Sequence, residues 1–380
     1  MIEALATSVT AFVGGASRGP TDTATVVTSW SQFHTVFGSR STHSHLAFSV
    51  HDFFANGGTD AVVVRVGSGP AVTASDLLGG ADARSQRRGI YALDAIEVVG
   101  MIVIPPYAGP AGMATWDVEP HVLQATVAYA HERHAVVIAD APAAWTVGSR
   151  PKLDETALAA FPADPNLAVY LPRLLESDPA HRGGVVPVGA SGAVAGVIAR
   201  ADTTKGAWKA PAGRDATVTG MHSLSMVVDD PTTGMLNPLG FNSIRSLPGG
   251  GTVVWGARTR GQQGVADPEW TYLPVRRLAL MIEASLIRGL QWTAFEDNAA
   301  PLWLRVRTDV QAFLDTLWRR GAFAGVTPDD AFWVHCGPDT MTADDLRHGQ
   351  LRLVVGFAPV KPAEFVVLNV VQATAAVSPA

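Results

Sequence analysis

The sequence predicts an α/β protein in two parts, an α/β domain over residues 1–240 and an α+β domain over residues 241–372. Two observations lead to this prediction. Short apolar runs alternate with segments of helical spacing through the first two-thirds of the chain, which is the pattern of strands covered by helices. After about Gly240, two long amphipathic helices precede two strands, which is the pattern of an α+β domain. Residues 373–380 are small or polar and are expected to form a flexible tail.

The strands of the first part are predicted to be buried on both faces. The run Ala61–Val64 contains no polar residue, whereas a half-exposed strand alternates polar and apolar side chains. A continuous apolar run is typical of a parallel sheet with helices on both sides. The other strands predicted in this part are Val9–Val13, Ala24–Thr28, Val98–Ile104, Ala135–Ala139 and Leu167–Leu171.

The helices between these strands are predicted from their spacing and their ends. Ser29 is a suitable N-cap for a short helix that carries Trp30, Phe33 and Phe37. The segment Ser191–Ala199 consists of small and apolar residues, so we expect a tightly packed helix there. The other helices predicted in this part are Leu46–Phe54 and Val122–His134.

Two helices and two strands are predicted in the C-terminal part. Pro274 opens the first helix, because proline is favoured in the first turn. Its apolar stripe consists of Val275, Leu278, Ile282 and Leu286. The second helix covers Leu302–Arg320 and carries charged residues on the side opposite its apolar stripe. The predicted strands are Leu351–Phe357 and Glu364–Val371.

Composition excludes several classes of function. The 380 residues are 47% hydrophobic and only 16% charged, against about 25% charged in an average soluble domain. Either a large core or a surface buried against copies of the same chain explains this. The net charge of −6 without a basic cluster argues against nucleic-acid binding. The sequence shows neither a signal peptide nor an uncharged apolar run of about 18 residues, so we expect a cytoplasmic product without membrane insertion.

The patterns that would indicate catalysis are incomplete. The sequence lacks a phosphate-binding loop and a dinucleotide fingerprint. Ser191 stands in a segment that resembles a nucleophile elbow, but Ala193 replaces the required glycine. Asp140 ends a buried strand, where α/β enzymes place carboxylates, but no nucleophile or histidine can be assigned to it. We therefore predict no catalytic residue and no cofactor.

Metal binding is also not predicted. Cys336 is the only cysteine, which excludes a disulfide within the chain and a cysteine-based zinc site. His131 and His134 are three residues apart, whereas the zinc-protease helix motif needs four. A cluster of polar residues can be a metal site or ordinary polar groups of a loop and helix start, and we favour the second interpretation. Its members are His43, His45, His51 and Asp52.

Short segments in order along almost the whole chain carry a family resemblance. They include Thr10–Gly14, Asp52–Gly58, Ala195–Arg200, Trp208–Gly213, Leu236–Pro238, Val254–Thr259, Val275–Leu278, Pro301–Trp303, Gly356–Pro359 and Lys361–Val366. No single segment is decisive, but together they are specific. The sequence resembles the contractile tail sheath proteins.

This resemblance implies a structural, polymerising subunit. The family combines an outer α/β domain, often described as subtilisin-like in topology but without protease chemistry, with a C-terminal domain that lines the sheath lumen. Residues 1–20 can pack with that C-terminal domain. Family members stack around an inner tube and shorten when triggered, which drives the tube through a target envelope. The implied partners are further copies of the chain, the inner tube protein, the baseplate and terminal cap proteins. A non-contracting tail or baseplate-associated protein is the alternative, and an enzyme on the α/β domain is another.

The last predicted strand is the candidate link between subunits. Family members link neighbours by strand exchange, and here both faces of this strand are apolar, which makes a poor sheet edge. Inside a neighbour's sheet, its side chains would bury area worth on the order of 6–12 kcal/mol. An ordinary strand within the chain is the alternative. Only Met1–Val9 precede the Thr10 segment, where the family commonly has a longer arm. A shorter arm, a place in a specialised ring and a misplaced start are the three interpretations. The residues of the predicted link are Glu364, Phe365, Val366, Val367, Leu368, Asn369, Val370 and Val371.

The second C-terminal helix is the candidate surface that faces the tube. Contacts with the tube must break during contraction, and weak, screened charges suit such contacts better than buried apolar area. A solvated charged face is the alternative. The proposed tube-facing residues are Arg305, Arg307, Asp309, Arg319 and Arg320.

Overall fold

The computed structural model describes residues 2–41, 44–67, 72–107, 117–146, 151, 158, 161–262 and 268–362. These residues form a nine-stranded, a three-stranded and a two-stranded sheet. The strands are β1 (Thr10–Gly14), β2 (Thr25–Val27), β3 (Ala61–Arg65), β4 (Met101–Val103), β5 (Val136–Asp140), β6 (Leu167–Leu171), β7 (Leu174–Ser177), β8 (Val185–Val188), β9 (Thr217–Val218), β10 (Ser223–Leu224), β11 (Phe241–Leu247), β12 (Gly251–Val254), β13 (Phe332–His335) and β14 (Val354–Phe357).

Helices cover the sheets and form most of the C-terminal part. The helices within the described ranges are α1 (Trp30–Phe37), α2 (Leu46–Ala55), α3 (Ala74–Leu78), α4 (Pro120–Glu132), α5 (Ser191–Lys205), α6 (Asp230–Leu236), α7 (Leu273–Gly289), α8 (Ala300–Arg319), α9 (Pro328–Ala331) and α10 (Ala343–Arg347). Short 3-10 helices cover Gly89–Ala95, Ala143–Thr146, Asn237–Leu239, Arg260–Gln262, Pro268–Trp270 and Gln291–Thr293. No helix in the described part of the chain combines the length and the apolar character needed to cross a membrane.

The nine-stranded sheet confirms the predicted mixed α/β fold. Its strand order is β2-β3-β1-β4-β5-β6-β11-β12-β9. The six adjacent strands from β3 to β11 are parallel. The strands β2, β12 and β9 extend the sheet at its two ends by antiparallel pairing.

The central strands are buried on both faces, as their apolar runs predict. In β1, Phe12 packs into one hydrophobic cluster with Phe53 of α2, while Val13 packs into another with Leu123 of α4. All five residues of β1 are buried. A parallel sheet needs this cover on both sides, because its crossover connections place helices there.

Two helices of the α/β part lie unusually close together because α5 contains glycine. A Cβ atom at Gly192 would lie 2.3 Å from the carbonyl oxygen of Ser49, and one at Gly196 would lie 2.4 Å from that of Phe53. Both distances are too short for a side chain, so the approach of α5 to α2 requires glycine at these positions. This explains the small residues that led us to predict a tightly packed helix.

Local signals at the helix ends were also predicted correctly. The Ser29 hydroxyl accepts a hydrogen bond from the Gln32 amide at 3.2 Å and caps α1. Pro274 lies in the first turn of α7. Strand β4 is shorter than predicted and begins after Gly100, where a Cβ atom would lie 2.2 Å from the Thr7 carbonyl oxygen.

The C-terminal part has a hydrophobic cluster of its own. Leu278, Ile282 and Leu286 of α7 pack with Val306 and Phe313 of α8. The strands β11 and β12 follow residue 240 in the chain but belong to the nine-stranded sheet. The shared sheet therefore extends through Val254, and the division of the chain at 240/241 stays a prediction.

A buried ion pair joins the two parts. Arg277 of α7 donates two hydrogen bonds to the Asp202 carboxylate of α5, at 2.8 and 2.5 Å, and their side chains are 2% and 7% exposed. Arg277 also donates to the Thr7 carbonyl at 2.9 Å, and the Thr7 hydroxyl donates to Asp202 at 2.6 Å. The N-terminal segment continues along α7, where Ile2 is buried against the C-terminal cluster.

We expect Asp202→Ala to destabilise the chain by about 3–5 kcal/mol, because it leaves the Arg277 guanidinium buried without its partner. The measurement is the midpoint of thermal unfolding. Asp215→Ala is the matched control, because Asp215 pairs with Lys205 at the surface, where the Asp215 side chain is 81% exposed. Equal shifts for the two variants would contradict a structural role for the buried pair.

Candidate assembly surfaces

The sheet of β13 and β14 has two strands in the described part of the chain. Its antiparallel register pairs Phe332 with Phe357 and His335 with Val354. Neither strand has another partner strand among the described residues, so both edges offer backbone groups for pairing. A two-stranded sheet is marginally stable by itself. Here the inward side chain of Val334 anchors it to the C-terminal cluster.

A large groove runs between this sheet and α7. It has a volume of about 770 Å³. The apolar stripe of α7 lines one wall, and the backbone and side chains of β13 and β14 line the other. The residues that line it include Val275, Ile282, Leu286, Trp333, Val355 and Phe357. The predicted apolar stripe of α7 therefore has two uses, since Leu278 packs inward, whereas Ile282 and Leu286 both pack in the C-terminal cluster and line the groove.

A second groove lies on the α8 side of the same sheet. Its volume is about 790 Å³, and it is lined by residues of α8 such as Gln311 and Asp315 and by residues of β13 such as Trp333. The Trp333 side chain lies against Gly356 of β14, where a Cβ atom would come within 2.2 Å of the indole. About half of Trp333 is exposed. Within the described part of the chain, one groove thus borders the two-stranded sheet on its α7 side and another on its α8 side.

The predicted link strand, residues 364–371, lies outside the described residues. The described chain ends at Pro362, and Ala358, Pro359 and Lys361 line the groove beside α7. The chain therefore approaches this groove where the described part ends.

The predicted tube-facing residues of α8 differ in their contacts. Arg305 is exposed and lies over the Trp292 ring, with 4.0 Å between the guanidinium carbon and the ring centroid. Arg319 pairs with Asp315 at 2.7 Å on the surface. Arg320 lies over the Trp208 ring at 5.4 Å. In contrast, Arg307 is half-buried and donates to the Cys336 carbonyl. Arg307 is therefore tied to the fold by a hydrogen bond to the backbone. Asp309, two residues further along α8, is half-buried.

The carboxyl edge of the parallel strands brings together two residues that the sequence singled out separately. Asp140 is the last residue of β5 and accepts hydrogen bonds from the Ser191 amide at 3.0 Å and the Ser191 hydroxyl at 2.6 Å. It also accepts one from the Ala190 amide at 2.6 Å. Asp140 thus binds the N-terminus of α5, a favourable place for a negative charge. The Ser191 hydroxyl proton goes to a carboxylate rather than to an imidazole, so this contact stabilises the helix start.

The polar cluster around α2 differs from the grouping in the sequence. His43 lies outside the described residues. Burial lowers the pKa of His45 to about 3, assisted by the charge of Arg173. His51 and Asp52 instead meet Glu176 of β7, and one potential ligand atom from each lies within 4.8 Å of the others. Sequence analysis missed Glu176, because its distance of 124 positions from Asp52 carries no local signal.

Cys336 is fully buried. Burial raises the pKa of its thiol, which makes the reactive thiolate less populated. Its carbonyl, rather than its sulfur, makes the contact with α8.

The chain is similar to known tail sheath proteins in its C-terminal part and over most of its length. The family model for the phage tail sheath C-terminal domain matches residues 265–373, the part that contains α7, α8 and the two-stranded sheet. A putative prophage major tail sheath protein of Pseudomonas aeruginosa (strain UCBPP-PA14) is 25% identical over 325 residues, which cover 80% of this chain and 75% of the relative.

Solved structures are similar over nearly the whole chain. A chain in the contracted PVC sheath complex of an extracellular contractile injection system is 28% identical, with a TM-score of 0.76 over 98% of this chain and 93% of that one. A chain in the six-fold symmetrised baseplate of the anti-feeding prophage is 27% identical, with a TM-score of 0.77 over 98% and 95%. In its C-terminal part and over nearly its whole length, this chain is similar to the contractile tail sheath proteins.

Proposed function

We propose that this chain is the structural subunit of a contractile, phage-tail-like sheath. Copies polymerise around an inner tube, and shortening of the polymer drives the tube through a target envelope. The observation that carries this proposal is the similarity over 98% of the chain to a chain of a sheath complex in the contracted state. Baseplate and terminal cap proteins are the further proposed partners, and the proposed place of assembly is the cytoplasm.

The two parts of the chain have different roles in this proposal. The α/β part forms the outer domain, with a subtilisin-like topology but without protease chemistry. The hydrogen bond from the Ser191 hydroxyl to Asp140 supports a structural use of these residues. The C-terminal part faces the tube, with α8 as its contact surface.

Strand exchange at the two-stranded sheet is the proposed link between subunits. The donor is the doubly apolar segment 364–371 of one copy, and the acceptor is the sheet of β13 and β14 in a neighbour. Three observations support the acceptor: its edges lack partner strands among the described residues, open grooves border it on both sides, and the α7 wall is apolar. Burial of the donor side chains is worth on the order of 6–12 kcal/mol, so this link should survive contraction.

Deletion of residues 364–380 is expected to abolish polymerisation, because it removes the donor strand. The measurement is the fraction of protein in polymers, by sedimentation and electron microscopy. Deletion of only 373–380 is the matched control and should leave polymers intact. The monomer melting temperature shows whether each variant folds, and folded protein lacking 364–380 that still polymerised would contradict strand exchange.

Weak charged contacts are the proposed attachment of α8 to the tube. Arg305 and Arg319 are exposed, so a contact through them is screened by salt and easily broken. Arg307 is better assigned to the fold, because it donates to the Cys336 carbonyl.

The double variant Arg305→Glu and Arg319→Glu is expected to weaken assembly on preformed tubes, with the larger effect at low salt, because charge repulsion replaces attraction. Co-sedimentation with tubes over a salt series measures this. The double variant Arg87→Glu and Arg182→Glu is the control, because it makes the same charge change at exposed positions of the α/β part. Equal binding by both double variants at every salt concentration would remove α8 from the proposal.

A second candidate function is a non-contracting tail or baseplate-associated protein. The observation that favours it is the similarity to a chain in a baseplate structure. Electron microscopy of the purified protein, alone and with tube protein, distinguishes the two. Long tubes support the sheath, whereas closed rings or monomers under all conditions support the second candidate.

A further inference from the structure

Two acidic side chains face each other in the interior of the α/β part. Asp52 lies in α2 and Glu176 in β7, and each residue is only 1% exposed. Strand β7 pairs with β8 and β10 in the three-stranded sheet. The contact between these carboxyl groups therefore joins that small sheet to a helix that covers the large one.

Each carboxyl group uses one oxygen for a neighbour, and a carboxylate oxygen of one group lies within 4.8 Å of a carboxylate oxygen of the other. Glu176 Oε2 accepts from the Arg40 guanidinium at 3.1 Å, and His51 Nδ1 lies 3.1 Å from Asp52 Oδ1. The remaining oxygens, Asp52 Oδ2 and Glu176 Oε1, are buried and receive no hydrogen bond from the described residues. Two ionised carboxylates in such a place would be strongly unfavourable, because both are desolvated and they repel each other.

We propose that Asp52 and Glu176 share one proton at neutral pH, and that this proton holds the β7–β8 hairpin against α2. Glu176 carries the proton and donates it to Asp52, which satisfies both remaining oxygens with one hydrogen bond. Arg40 balances the single negative charge that is left. Removal of the proton turns the contact into a repulsion and loosens the hairpin.

The charges around the pair agree with this arrangement. Burial raises the pKa of Glu176 to about 9, with Asp52 adding to the shift and Arg40 and His51 opposing it. Burial also raises the pKa of Asp52 to about 7, where the Glu176 hydrogen bond and Arg40 oppose the shift and Asp140 adds to it. Burial, followed by Arg40, lowers the pKa of His51 despite Glu176, so a neutral His51 can donate its Nδ1 proton to Asp52.

A divalent metal fits this site less well than a proton does. His51, Asp52 and Glu176 offer three potential ligand atoms, but the positive charge of Arg40 already contacts Glu176. Two carboxylates and one guanidinium leave a net charge of −1, which one proton neutralises. A divalent ion would leave an excess positive charge between the half-buried Arg40 and two buried carboxyl groups, which is costly in a medium of low dielectric constant.

The proposal fixes the direction of a pH effect. Burial raises the pKa of Glu176 to about 9 in the folded protein, whereas an unfolded glutamate has its ordinary pKa of 4.5. Unfolding at neutral pH therefore releases about one proton from this pair, and its contribution to stability falls as the pH rises between these limits.

The test compares the wild type with Glu176→Gln and Asp52→Asn. Each variant keeps the shape and a hydrogen-bond donor but cannot share a proton. We expect the melting temperature of the wild type to fall more steeply than that of either variant from pH 5 to about pH 9. Glu97→Gln is the control, because Glu97 is an exposed residue paired with Arg288, and it should keep the wild-type slope.

Infrared spectroscopy tests the shared proton directly. The wild type at pH 7 should show the carbonyl band of a protonated, buried carboxyl group, and both single variants should lose it. Persistence of the band in Asp52→Asn would overturn sharing, because the proton would then belong to Glu176 alone. Stabilisation of the wild type, but not of the variants, by added Zn²⁺ or Mn²⁺ would overturn the proton in favour of a metal.

Discussion

Arg277 and Asp202 set the position of the C-terminal part on the large sheet. Their ion pair connects α7 to α5, and α5 is itself fixed by its glycine contacts with α2 and by Asp140 at its N-terminus. The N-terminal segment lies across the same joint through Thr7. Because α7 also forms one wall of the groove beside the two-stranded sheet, this buried pair determines where the proposed acceptor lies relative to the α/β part. A buried ion pair need not increase stability over an apolar contact, but it specifies one geometry.

The C-terminal part combines contacts of very different strength, and this difference suits a polymer that rearranges. A strand inserted into a sheet gains backbone hydrogen bonds and apolar burial, both of which resist separation. Exposed arginines on α8 gain little and lose that gain in salt. Such an arrangement lets subunits keep their links to one another while they leave the tube. The proposed division of labour follows from the physics of the two contact types and does not need an enzymatic step.

Much of the fold was predictable because its signals are local. Apolar runs without polar alternation predicted the central strands, and the Ser29 cap and Pro274 predicted helix starts that the structure confirms. The ends of elements were less predictable. Gly100 is close to the Thr7 carbonyl and β4 begins after it, which is a contact between distant segments. The place of β11 and β12 in the large sheet also depends on partners far away in sequence, namely β6 and β9.

The sequence by itself determined the α/β character, the two long C-terminal helices and the resemblance to sheath proteins, because periodicity, capping residues and ordered segments are properties of neighbouring positions. Only the tertiary structure decided which arginine of α8 is held by the fold, as the Cys336 carbonyl lies 29 positions from Arg307. The same holds for the pairing of Asp140 with Ser191 and of Asp52 with Glu176. Burial and partnership give these charged groups their roles, and both arise only when distant segments of the chain pack together.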